Sequence, residues 1–171
     1  MPPSDVPGPA APRRLPTAED FPVSGPFSLA APGPRFGARA VDLSIVLAPA
    51  LLVIVLASTT VGAQLHLEVP LWLAPALLGL GVLYETVFIG LLQRTPGKAL
   101  FGLRVVRYTD GARPTLGQTA LRAIVPWSIL ALPIGPFALG GVFAIYGTGI
   151  GGDLHRGWPD RAAGTLVLSS R

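Results

Sequence analysis

From Leu43 to Leu67 the chain runs for 25 residues without a formal charge, dense in Leu, Val, Ile and Ala. A helix needs about 20 such residues to cross the roughly 30 Å hydrocarbon core of a bilayer. No other feature constrains the chain as strongly. A segment in lipid must satisfy its backbone polar groups internally, which leaves a helix as the form for an isolated apolar run. Composition agrees, since 13% of the residues are charged where a soluble domain carries about 25%. The expected class is an all-α membrane protein. Whole-chain disorder is excluded by the hydrophobicity, and an ordinary soluble enzyme lacks support.

The first transmembrane helix is expected over about residues 38–63, with Asp42 near its start and a kink at Pro49. A second is expected over 70–92, with Trp72 as an interface anchor and Glu85 as its single charge. The short linker between them makes an antiparallel hairpin. A third uncharged stretch occupies residues 123–150, broken at Leu132-Pro133-Ile134-Gly135-Pro136. One tilted, kinked helix fits this stretch. So do two half-helices of about 13 residues, each about 20 Å long, that dip in and return. Trp127 and Tyr146 within it read as interface anchors.

Charge placement sets the orientation. Arg35 and Arg39 precede the first span, the linker between the spans has no Lys or Arg, and residues 93–122 hold Arg94, Lys98, Arg104, Arg107, Arg113 and Arg122 against Asp110. The positive-inside rule puts the N-terminus and this loop in the cytoplasm. Leu103 to Tyr108 and Thr165 to Leu168 have strand character, and Asp110-Gly111 is a turn signal. The two strands can pair in a small cytoplasmic cap only if the third stretch re-enters and leaves the C-terminus inside, which the basic tail favours. Residues 1–34 carry ten prolines and read as a disordered, cytoplasmic, Pro-rich tail with no signal-peptide pattern. The membrane domain then covers residues 35–168.

Several chemistries find no support. The chain has no cysteine, and His66 and His155 are its only imidazoles. No metal-ligand spacing, nucleophilic triad or phosphate-binding glycine loop is present, so neither catalysis nor a cofactor is expected. Thr95-Pro96-Gly97-Lys98 reads as a helix stop followed by a headgroup anchor. The sequence pI of about 10.3 reflects arginines flanking apolar segments rather than a nucleic-acid patch. Expected partners are the bilayer, a second copy or another membrane protein, and anionic lipid at the basic loop.

Three separated motifs carry a family likeness. They are Arg35-Phe36-Gly37-Ala38-Arg39-Ala40-Val41-Asp42, Arg94-Thr95-Pro96-Gly97-Lys98 with Gly102-Leu103-Arg104-Val105-Val106, and Arg156-Gly157-Trp158-Pro159-Asp160-Arg161. Together they resemble the RDD family of small bacterial membrane proteins, named for an arginine and two aspartates. The resemblance places the aspartates at Asp42 and Asp160 and the arginine at Arg35, with Arg39 as the competing assignment. Family members often carry His before the second Asp, where this chain has Pro159. The resemblance implies a multi-pass protein of the bacterial inner membrane, and a link to transport that includes cation/proton exchange for some members.

An ionisable residue within a span costs roughly 2.5–3.5 kcal/mol at mid-membrane, so Asp42 and Glu85 require a reason. In an antiparallel hairpin the start of the first span faces the end of the second. Arg35, Arg39, Asp42, Glu85, Arg94 and Lys98 then share the cytoplasmic third, and Asp160 joins them if the tail lies inside. Two readings stay open. The carboxylates bind a cation or pass a proton, or they pair with basic neighbours (Asp42 with Arg39, Glu85 with Arg94 or Lys98) and lock the hairpin.

Overall fold

The computed structural model describes residues 14–61, 64–66, 69–135 and 137–171. Helix α1 spans Pro32–Ala57 and α2 spans Leu73–Leu92. Their 26 and 20 residues give lengths of about 39 and 30 Å, enough for each to cross a bilayer. Much of both surfaces is apolar and outward-facing. Ile45, Leu51, Leu52, Val55 and Leu56 on α1 are exposed, as are Leu80, Leu83, Val87, Leu91 and Leu92 on α2. In water such a surface would drive aggregation; in lipid it is solvated.

The first helix lies about six residues earlier than expected at each end. Pro32 occupies its first turn, where a missing N–H costs nothing. At the other end Thr59, Thr60 and Val61 are β-branched, and they form strand β1 (Thr59–Val61) antiparallel to β2 (Gln64–His66) instead of extending α1. The helix runs on through Pro49. Gln93 in the left-handed region (φ 58°) ends α2. Thr95 then caps a short helix α3, Pro96–Leu100, by accepting from the Lys98 N–H. The expected stop at Pro96-Gly97 is therefore the start of another helix.

Strand β3 (Leu103–Arg107) pairs antiparallel with β4 (Thr165–Ser169), with Val105 opposite Val167. The expected cap thus forms, joining two distant chain segments. Residues 14–34 differ from the disordered tail expected of them, while residues 1–13 lie outside the described residues. The Ala30 N–H donates to the Val167 carbonyl (3.1 Å), and the Ser169 N–H donates to the Ser28 carbonyl (2.9 Å). Between Pro26 and Pro32 the backbone donors are intact, so this stretch joins the edge of β4.

The third apolar stretch is two helices, α4 (Leu116–Leu130) and α5 (Phe137–Gly147). One long kinked helix is not formed, because the chain turns around Pro133 and Gly135. Ile129 of α4 abuts Gly141 of α5. Arg122 at the middle of α4 and Tyr146 late in α5 line one cavity, so α5 folds back along α4. Helix α6 (Trp158–Ala163) follows and leads into β4. Gly81 lets α2 and α4 meet, since a Cβ there would fall 2.1 Å from the Trp127 indole. Trp127 is fully buried in that contact and is not an interface anchor.

Candidate functional site

Helix periodicity puts Ala38, Arg39 and Asp42 on the buried face of α1, beside Gly81, Glu85 and Ile89 of α2. Gly97 brings α3 against the same face. A Cβ at that position would lie 2.2 Å from the Ala38 carbonyl and 2.7 Å from Asp42 Oδ1, and with only a hydrogen there the Gly97 N–H donates to that oxygen at 2.9 Å. Tyr84 Oη donates to Asp42 Oδ1 (2.8 Å) and Thr95 Oγ1 to Oδ2 (2.6 Å). Asp42 therefore accepts three hydrogen bonds, from Tyr84, Thr95 and the Gly97 backbone. It does not pair with Arg39 one turn earlier, because Arg39 turns toward Glu85.

Glu85 is the hub. Arg39 Nη1 donates to its Oε2 at 2.9 Å, while Lys98 Nζ lies 3.5 Å and Arg122 Nε 3.9 Å from Oε1. Lys98 Nζ also lies 3.7 Å from Asp42 Oδ2, so one ammonium bridges the two intramembrane carboxylates. Lys98 is 5% exposed and sits in this cluster instead of at the headgroups. Two carboxylates face the ammonium there and offset part of the cost of taking it out of water. Burial pushes the Lys98 ammonium below its ordinary value; Glu85 and Asp42 oppose that shift, and Arg122 and Arg39 reinforce it.

Asp160 closes the cluster from α6. Its Oδ1 accepts from Thr165 Oγ1 (3.0 Å) and lies 3.1 Å from Arg122 Nη1, and its Oδ2 lies 3.4 Å from Arg35 Nη1. Arg35 also donates to the carbonyls of Ala30 (3.0 Å), His155 (2.5 Å) and Val167 (3.0 Å), fastening the start of α1 to the cap. The Arg39 guanidinium lies 4.9 Å from the Trp127 ring centroid and 5.2 Å from that of Tyr146, close enough for cation–π attraction.

Six of the seven expected site residues meet: Arg35, Arg39, Asp42, Glu85, Lys98 and Asp160. The seventh, Arg94, is exposed and lines a separate surface depression with Arg104 and Ser170. Arg161 stays outside too, donating to the Arg156 carbonyl at 3.0 Å. Arg122 enters in place of Arg94. Sequence reading assigned it to the basic loop, yet Thr115-Leu-Gly-Gln118 is a capping box that starts α4 at Leu116 and carries Arg122 into the helix. Tyr84 and Thr95 were missed as well, because no local spacing marks a partner more than 40 residues away, and Tyr146, expected as an interface anchor, instead lines the cluster cavity.

The cluster gathers charges from the N-terminal, central and C-terminal motifs, and a family model spanning all three matches the chain over residues 29–164. The chain belongs to the RDD family. That assignment and the two long apolar helices identify it as an RDD membrane protein. No curated protein and no solved structure was found to match it. In this RDD chain Arg35 pairs with Asp160 and Arg39 with Glu85, so both candidates for the signature arginine hold buried carboxylates.

Proposed function

We propose that this RDD protein is a multi-pass protein of the bacterial inner membrane that exchanges a monovalent cation for a proton at the Asp42–Glu85 pair. The observation that carries the reading is the position of Lys98 Nζ, 3.7 Å from Asp42 and 3.5 Å from Glu85. An ammonium bridging two carboxylates occupies the place a dehydrated monovalent cation would take. Loss of the Lys98 proton removes that positive charge and leaves the pair able to accept a cation. Binding the cation and holding the proton are then mutually exclusive, which is the condition for exchange. The N-terminus and the basic loop face the cytoplasm on this reading. The α4–α5 hairpin re-enters, so the paired strands β3 and β4 share one side.

The test is cation-driven proton movement in vesicles holding wild type, Asp42→Asn or Glu85→Gln. Flux above empty vesicles that falls in both variants supports the proposal. No flux under gradients of several cations, with the protein folded, sinks it.

A second reading has its own observation. Glu85 contacts Arg39, Lys98 and Arg122, and Asp160 contacts Arg35 and Arg122, which is the pattern of a polar lock holding α1, α2, α4 and α6 together. On that reading the RDD chain is a non-transporting accessory protein. Its basic surface holds a partner or anionic lipid, and the same variants lower stability with no flux to lose.

A further inference from the structure

The charges of the cluster do not balance. Arg35, Arg39, Lys98 and Arg122 face Asp42, Glu85 and Asp160, and the side chains of all seven are at most 11% exposed. With Lys98 protonated, one positive charge is therefore in surplus in a cluster largely withdrawn from water. An uncompensated charge is costly to hold away from water, so a counter-charge is favoured there.

The hydrogen-bond inventory locates where it would sit. Arg39 Nε and Nη2 and Arg122 Nε and Nη1 are buried with no hydrogen-bond partner among the described residues. Arg122 Nη1 is near Asp160, but its N–H groups are not aligned on that oxygen. Glu85 Oε1 is the one cluster carboxylate oxygen in the same condition, and it already faces Lys98. Donors thus outnumber acceptors. Arg35, Arg39, Lys98, Arg122, Tyr146 and Asp160 line a common cavity of about 10 Å³, room for a single small ion or one water. Leu103 and Val167 complete its wall.

We propose that this cavity is an anion site that takes one halide-sized monovalent anion. A water molecule accepts two hydrogen bonds and must place two protons of its own, in a ring of guanidinium donors. It would also leave the surplus charge in place. A spherical anion accepts from every direction and cancels the charge. Phosphate, sulfate and carboxylates are too large for the cavity. The site stands independently of cation exchange, because a structural counter-ion satisfies the same geometry.

Trp127 provides the readout. Its indole is fully buried and lies 4.9 Å from the Arg39 guanidinium, whereas Trp72 and Trp158 are exposed. In detergent-solubilised full chain carrying Trp72→Phe and Trp158→Phe, bromide is titrated at constant ionic strength against gluconate. Bound bromide quenches the buried indole along a saturating curve, and chloride reverses the quenching while sulfate does not. Arg122→Gln weakens the apparent affinity by at least about tenfold. Tyr146→Phe, which keeps the ring and removes one donor, weakens it less and serves if Arg122→Gln does not fold. Chloride also raises the unfolding temperature of wild type saturably relative to gluconate. A bromide response that stays linear, with no chloride dependence of unfolding in the folded protein, overturns the site and assigns the cavity to water.

Discussion

Glu85→Gln is the perturbation with the clearest expected magnitude. The substitution keeps volume and shape, and the amide oxygen can still accept from Arg39 Nη1, now 2.9 Å from Oε2. What it removes is one negative charge that faces Arg39, Lys98 and Arg122 at 2.9, 3.5 and 3.9 Å. Four buried cations are then left with two carboxylates. Removing one partner of a buried pair costs about 3–5 kcal/mol. The retained hydrogen bond argues for the lower end, about 3 kcal/mol, which is roughly a 100-fold shift in the folding equilibrium. Reversible unfolding in mixed micelles measures it. A cycle with Arg39→Gln should show coupling of about 1–3 kcal/mol, because the second substitution removes one of the charges the first strands. A Glu85→Gln variant within about 0.5 kcal/mol of wild type, inside the range of ordinary surface changes, would refute the view that this network is buried and charged.

Other expectations follow from the same geometry. Gly97→Ala puts a methyl 2.2 Å from the Ala38 carbonyl, so it should destabilise by about 1–3 kcal/mol through overpacking; unfolding no different from wild type would mean that α3 does not press on α1 in this way. Because burial holds the Lys98 ammonium below its ordinary value of 10.5, the unfolded chain binds the extra proton between the folded and unfolded values. Wild-type stability should therefore rise with pH across that window, and Lys98→Met should flatten the rise in unfolding midpoint against pH. Single cysteines at exposed Ala112 and Ser170 should react with a membrane-impermeant reagent from the same side, since β3 and β4 are paired; labelling from opposite sides would contradict that pairing in the membrane. Arg35→Gln should raise amide exchange at Ala30, whose own carbonyl and that of its partner Val167 both bind Arg35. Unchanged exchange would show that the cap holds itself.

Membrane-length runs were legible because lipid imposes one requirement, an apolar helix of sufficient length, and the residues of α1 and α2 meet it without reference to the rest of the chain. Their ends were less so. Pro32 and Thr59 set the limits of α1 through local backbone chemistry that an apolar count overlooks. Asp42, Glu85 and Lys98 could be placed at one level, since an antiparallel hairpin aligns the start of one helix with the end of the next. Their partners could not. Helix spacing suggested Arg39 for Asp42, whereas the fold supplies Tyr84, Thr95 and Gly97 and sends Arg39 to Glu85. Arg94 and Arg122 are both basic residues of the same stretch, and only the capping box at Thr115 separates the buried one from the exposed one. The pairing of β3 with β4 depended on whether residues 123–150 cross or turn back, which Pro133 and Gly135 left open.

Proton release on cation binding is the most direct test of exchange at the Lys98 bridge. Purified protein in weakly buffered detergent, near the pH at which Lys98 titrates, is mixed with each monovalent cation in turn while a pH indicator is followed. Competition for the Asp42–Glu85 pair predicts release of about one proton per cation bound for at least one cation, and none from Lys98→Met. Folded wild type that takes up a cation without releasing a proton, or binds none of them, would contradict it.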